Sequence, residues 1–361
     1  MCYTQSRFKA LLSACVMSLI ATVAWSQSLD WLGVLSGGDI SYAYAVSADG
    51  VVVGGSYDTA GQWRAFRWTA SGGMQYLGTL GGDGSEASGV SADGAVVVGW
   101  AENADGQWRA FRWTASDGME DLGTLDGDRS FAYAVSADGA VVVGVAENAD
   151  GQWRAFRWTA SDGMEDLGTL GGDGSEAWGV SADGAVVVGV AENAAGDWHA
   201  FRWENGVMQD LGTLGGGYSH AFGVSADGSV VVGWAENAAG DWHAFRWTAS
   251  GVMEDLNTTY ASLLTDGSRL GEARAISPDG RYIVGYGRNA TTGRGEAFLL
   301  DTWRVGDTNG DGCVDDADLL AVLFAFGSAG TGDARHEDIN KDGIVDDADL
   351  LEVLSHFGSG C

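Results

Sequence analysis

The residues best suited to chemistry lie in two matched stretches near the C-terminus. "DTNGDGCVDDAD" spans Asp307–Asp318, and "DINKDGIVDDAD" spans Asp338–Asp349, 31 residues later. The first places side-chain oxygens of Asp307, Asn309, Asp311, Asp315 and Asp318 at positions 1, 3, 5, 9 and 12, with Gly312 at position 6. The second does the same with Asp338, Asn340, Asp342, Asp346 and Asp349, around Gly343. Hard oxygen donors at alternate positions suit Ca²⁺, and the glycine supplies a sharp turn. Position 7, Cys313 or Ile344, would offer its backbone carbonyl, and Asp315 and Asp346 would act through water. Two calcium ions are expected.

The spacing is that of the EF-hand calcium loop, with Asp in place of Glu at position 12. Each loop runs into one short helical stretch, "ADLLAVLFAFG" or "ADLLEVLSHFG", with Gly327 and Gly358 placed to cap the end. No helical stretch precedes either loop. A calcium loop followed by a single helix, duplicated, resembles the type I dockerin module, over residues 304–361. That resemblance implies docking onto a cohesin-like domain of a scaffold or cell-surface protein through loop positions 10 and 11. Those positions are Asp316 and Ala317, and Asp347 and Ala348. Many dockerins carry hydroxyl residues there, so this chain departs from the pattern that sets partner choice.

The two helical stretches match at Leu319, Leu320, Val322, Leu323 and Phe326 against Leu350, Leu351, Val353, Leu354 and Phe357, which are expected to form a shared core. They differ at Ala321, Phe324 and Ala325 against Glu352, Ser355 and His356, trios that share one helical face. The apolar trio is expected either to contact a partner or to pack within the chain.

What precedes this module is periodic. "VSADGAVVVG" occurs unchanged at Val90–Gly99, Val135–Gly144 and Val180–Gly189, and related phrases begin at Val46, Val224 and Ile276. "AFRW" begins at 65, 110, 155, 200 and 244, with "AFLL" at 297. Periods near 45 residues point to propellers or solenoids. One period holds four strand-like pieces, for example "AWGVS", "AVVVGVA", "WHAFRW" and "VMQDLGTL". Asp-Gly tolerates the positive φ of the hairpin turn between the first two. "VVVG" is apolar on consecutive residues and so needs cover on both faces. Phe and Trp of "AFRW" fall two apart and share a strand face, suited to filling the space between sheets.

The expected fold is mainly β, a six-bladed β-propeller of four-stranded repeats over residues 29–303. "LDWLGVL" at Leu29–Leu35 matches a fourth strand, while the last unit stops after its third, so the N-terminus is expected to complete the last blade. An open β-solenoid is the alternative. The repeats also resemble bacterial extracellular "HAF" repeats, literal at His199-Ala200-Phe201 and His243-Ala244-Phe245. The resemblance implies fold and export, not an activity. The Asp of each turn phrase (Asp93, Asp138, Asp183) is expected to serve the turn rather than a metal or a reaction.

Residues 1–26 have the layout of a secretory signal: Arg7 and Lys9, then an apolar run, then Ala24-Trp25-Ser26. An uncleaved anchor and a lipid-modified Cys15 are the alternatives. The expected location is secreted or at the cell surface, with no membrane span after cleavage, as a monomer. Two cysteines then remain, Cys313 and Cys361. In an exported protein they are expected to pair, closing a loop of about 49 residues worth roughly 4 kcal/mol. A free or intermolecular Cys361 is the alternative. A net charge of -31 repels phosphate backbones and argues against nucleic acid.

Catalysis needs groups that break the repeat. No Gly-x-Ser-x-Gly elbow is present. Glu102, Glu147, Glu192 and Glu236 recur with the period, and of the acids that do not (Asp126, Asp128, Asp266) nothing selects a pair. The expectation is a non-catalytic binding protein, with polysaccharide stacked on exposed Trp as a candidate ligand. The alternative, from the dockerin resemblance alone, is an enzyme of polysaccharide breakdown acting on O-glycosyl bonds.

Overall fold

A strand that is apolar on both faces can be buried only between two other layers, and the repeats achieve this by stacking. The computed structural model describes residues 29–249, 252–310, 313–330 and 336–359. The signal segment, Asp311, Gly312 and Cys361 lie outside these, and with them the fifth ligand position of the first loop and the Cys313–Cys361 pairing. Six antiparallel sheets follow one another, over residues 41–76, 81–121, 126–166, 171–210, 215–255 and 269–301. The first five have four strands in chain order, and the sixth has three. In the fourth sheet the strands are Gly171–Val180, Val186–Asn193, Trp198–Glu204 and Val207–Asp210. The first strand begins earlier than its apolar residues suggest. The fourth ends at Asp210, and "LGTL" leaves the sheet to reach Asn237 of the next one through Leu214.

Val187 and Val188 show how the consecutive valines are used. Val187 faces back into a core with Val143 and Ala155 of the third sheet, and Val188 faces forward into a core with Ala221 and Val231 of the fifth. Phe201 and Trp203 fill the same core as Val187, so the two aromatics of the repeat do share a face. Five such cores separate the six sheets among the described residues.

The repeated phrase is a turn that also joins neighbours. Ser91 Oγ donates to Asp93 Oδ1 at 2.7 Å and accepts from Val96 N at 2.9 Å, while Gly94 sits at φ 67°. The bond from Ser91 holds the Asp93 carboxyl below the usual carboxylate range. Across sheets, Ala48 N donates to Ala92 O, Ala92 N to Ala137 O, Ala137 N to Ala182 O, Ala182 N to Ala226 O, and Ala226 N to Pro278 O, all at 2.9–3.1 Å. Arg67, Arg112, Arg157 and Arg202 each extend Nε to the turn carbonyl of the next sheet, at 3.1–3.3 Å. Buried Ser85, Ser130, Ser175 and Ser219 accept an N–H from the preceding sheet.

Closure by the N-terminal segment is corrected. Residues 29–35 form no strand, and nothing adds a fourth strand to the last sheet among the described residues. Gly33 O instead accepts from Ser41 Oγ at 2.7 Å, the bond Ser130 makes to Gly123, so the chain from Gly33 onward leads into its own sheet. The last sheet also lacks the joining donors. Pro278 has no N–H, and Leu299 stands where Arg202 does in the fourth sheet. The outward faces stay exposed: Ala43 and Ala297 are open, whereas their counterparts Ala87 and Ala110 are fully buried. The result is a propeller-like array of sheets.

Glycine ends each valine run for a reason specific to the register. A Cβ on Gly144 would lie 2.0 Å from Phe131 O, where the first and second strands shift register. Gly144→Ala is expected to cost about 1–3 kcal/mol, as overpacking does. Urea denaturation would measure it, and an unchanged midpoint would refute the close-approach explanation.

Candidate metal centre and docking surface

Each calcium-loop stretch enters its helix through a reciprocal cap. The helices are Asp316–Ala325 and Asp347–His356. Asp315 and Asp346 are the N-caps, with Asp318 and Asp349 reaching back to complete a capping box. Asp349 is fully buried, accepting from Ile339 N at 2.7 Å, Asn340 N at 3.0 Å and Asp346 N at 2.9 Å. Asp318 does the same with Thr308 N, Asn309 N and Asp315 N. Asp338 is nearly buried and accepts from Asp342 N and Gly343 N. Gly343 adopts φ 95°, which the loop's sharp turn requires. Asn340 and Asp342 bond to each other, and Ile344 N donates to Asp342.

The two halves are tied crosswise. Val314, at the exit of the first loop, exchanges backbone bonds with Gly358 and Ser359 beyond the second helix, and Val345 does so with Gly327 and Ser328 beyond the first. Gly327 and Gly358 take φ 81°, the C-terminal cap geometry expected of them.

Among the described residues, no three His, Cys, Asp or Glu side chains gather around one point. The donor set still suits a hard cation: it is all oxygen, it includes Asn309, Asn340 and two backbone carbonyls, and the buried carboxylates of Asp318 and Asp349 have only N–H and hydroxyl partners. A divalent ion would compensate this buried negative charge directly.

The helix core is narrower than the sequence match suggests. Val314, Val322, Val345 and Val353 are fully buried, with Leu319, Ala325, Ile339 and Leu350 packed against them. Leu320, Leu323 and Phe326 are half exposed, as are Leu351, Leu354 and Phe357. Two short helices facing each other bury one stripe each, and no third layer covers the flanks. The expected trio also divides: Ala325 turns inward, Ala321 is half-buried, and Phe324 is 88% exposed. Asp316, Ala317, Asp347 and Ala348 are exposed.

In the repeats, the recurring polar residues serve the sheets. Glu102, Glu192 and Glu236 accept an N–H from the start of their own sheet's first strand, and Glu147 pairs with Arg129. His199 binds Asp210 and His243 binds Asp255, linking third strand to fourth. Asp128 accepts from Gln107, and Asp266 from Ser268 and Thr291.

Sequence reasoning missed a band of aromatic rings along the first strands. Trp100 meets Phe131 and Tyr133, Tyr133 stacks on Trp178 at 4.5 Å, Trp178 meets His220 and Phe222, and Arg274 lies 4.3 Å over Phe222. The signal was available: the residues one and three beyond the buried serine are aromatic in several repeats. Beside this band a cavity of about 260 Å³ opens between the fourth and fifth sheets, lined by Glu176, Trp198, Tyr218, His220 and Trp234.

No protein-family model matches the chain, and no curated protein sequence does. Solved structures do. The β-propeller domain of the Trilobed protease from Pyrococcus furiosus, described as having an open velcro topology, matches with a TM-score of 0.51 at 10% identity, over 73% of this chain and 84% of that one. TolB from Acinetobacter baumannii matches at 16% identity and a TM-score of 0.43, over 60% of this chain; the chain spans 53% of its length. The putative TolB from Agrobacterium tumefaciens gives 0.45 at 14% identity, over 73% and 90%. The first likeness supports a propeller-like fold and nothing more specific.

Calcium titration of the full chain by calorimetry is expected to show two binding events, with Asp338→Ala removing one. Saturation at 100 times Kd would stabilise the tail by about 2.7 kcal/mol for each ion bound. Identical heats with and without chelator would rule out the metal sites.

Proposed function

We propose that the chain is a secreted, non-catalytic binding protein. HAF-type repeats form its propeller-like body, and a calcium-dependent, dockerin-like tail attaches it to a cohesin-like or surface scaffold protein. The supporting observation is the duplicated loop and helix: each copy holds a fully buried carboxylate at position 12 and leaves an apolar flank uncovered. On the first helix that flank is Leu320, Leu323 and Phe324, and on the second Leu351 and Leu354. Exposed apolar flanks of this kind, with the exposed carboxylates of Asp316 and Asp347 at the start of each helix, are the sort of surface that a partner protein covers. No helix among the described residues is long and apolar enough to cross a membrane.

The binding reading is favoured over a glycosidase by the aromatic cavity. Glycoside hydrolysis in most families uses two carboxylates facing one sugar. Glu176 is the one carboxylate among the residues lining that cavity.

The test uses purified full-length protein and a panel of purified cohesin domains, with calcium or with EDTA. The expected result is a calcium-dependent complex that Phe324→Asp weakens at least tenfold while the circular dichroism spectrum stays unchanged. A panel that yields no complex, or one indifferent to EDTA, would reject the tethering.

A further inference from the structure

At the rim where the first strands begin, the junctions between sheets follow one plan with local substitutions. Between the first and second sheets, Glu86 Oε2 accepts from Trp63 Nε1 at 2.5 Å, and the acid is occupied. The same acid in the fourth sheet is Glu176; Trp153, the counterpart of Trp63, is engaged elsewhere, meeting Phe131 at 5.8 Å and lying under Arg129 at 4.9 Å, and the indole donor facing Glu176 is instead Trp178 of its own strand. The next junction then departs from the repeat. Where the other sheets carry Ile-Ser-Tyr, Gly-Ser-Glu, Arg-Ser-Phe or Leu-Gly-Glu, the fifth carries Tyr218-Ser219-His220, the one histidine at this position. The cavity opens at that departure.

We propose that the cavity between the fourth and fifth sheets is a carbohydrate subsite for a neutral, equatorially substituted hexopyranose unit of a β-linked glycan. This rests on the binding reading above and names its ligand. A pyranose with equatorial substituents presents axial C–H groups on both faces and hydroxyls around its edge. The C–H faces match aromatic walls, here Trp198 and Trp234, and Trp234 is itself braced by Trp242 stacked at 4.7 Å. The hydroxyl edge needs acceptors. Glu176 is one. His220 supplies another, because Nδ1 lies 3.2 Å from Ala221 O and so carries the proton, leaving Nε2 with a lone pair. Burial pulls the His220 pKa down to about 4, so the ring is neutral at pH 7, and burial raises that of Glu176. Few precisely placed polar groups among apolar walls is the usual composition of a small-molecule site. The net charge of -31 disfavours uronates and sulfated sugars.

The experiment is done on the full-length protein in EDTA, so that the tail does not contribute. Cellohexaose and chitohexaose are titrated while tryptophan fluorescence and calorimetric heat are followed, with choline chloride as a cationic probe. Saturable binding of either hexasaccharide is expected, weakened at least tenfold by Trp234→Ala and by Tyr218→Ser. Tyr218 is 46% exposed, so its replacement tests the site without emptying a core. Tyr76→Ser, on an outer strand, is expected to bind like the parent. Three results would overturn the proposal: neither sugar binds, binding survives both cavity substitutions, or choline saturates the cavity instead. Loss of sugar binding with cohesin capture intact would leave the tethering untouched.

Discussion

Everything in the body of this protein depends on one constraint: a sheet whose second and third strands are apolar on both faces is unstable alone. Burying a Val or Phe side chain contributes about 1.5–3 kcal/mol, and each sheet offers such residues in both directions. Val187 gains its cover from the third sheet, and Val188 from the fifth. Stability is therefore shared between neighbours, as in other repeat architectures. The serine, arginine and backbone bonds that cross each junction add direction to this packing. They satisfy groups that would otherwise be buried without partners, so they fix how one sheet is set on the next.

The ends of the array follow from the same constraint. A stack held by donors from one sheet to acceptors on the next must stop where the donors stop. Pro278 and Leu299 remove two of them at once, in the one sheet that also lacks a fourth strand. The tail then begins from that sheet across a polar seam. Arg281 holds Asp301 with two bonds of 2.9 Å, Lys341 approaches Asp301, and His336 pairs with Asp279 and meets the Trp303 ring. Polar contacts at such a boundary stabilise less than a core does, and the tail has only four fully buried valines of its own. A small module with so little apolar burial gains most from a metal.

Much of this was legible in the residues, and the exceptions are instructive. Period, strand count per repeat, the role of Asp93 and its equivalents, and the shared face of Phe201 and Trp203 all follow from local pattern, because each unit meets the same neighbours. Closure is not legible there, because the match of Leu29–Leu35 to a fourth strand says nothing about whether the last sheet can receive it. The tail core is narrower than the matching residues imply for a similar reason. Leu320 and Leu351 repeat faithfully, but repetition identifies equivalent positions and not buried ones. Which stripe is buried depends on the facing helix, and that is fixed by the crosswise bonds of Val314 and Val345.

The aromatic cavity shows where to search a periodic chain for function. A repeat that only stacks has little reason to vary where its junctions solve the same packing problem, so positions that change from sheet to sheet are the ones to inspect. Tyr218 and His220 do vary: they place a half-exposed Tyr and a half-buried, neutral imidazole where the other sheets carry Ile, Gly, Arg or Leu and Tyr, Glu or Phe. Neither residue fills a core, and the space they border stays open. A mechanical role therefore explains the conserved frame of the repeat but not its exceptions. Tyr218 and His220 sit together on one rim beside the Glu176 carboxylate, and the proposed sugar subsite gives that pair one cause.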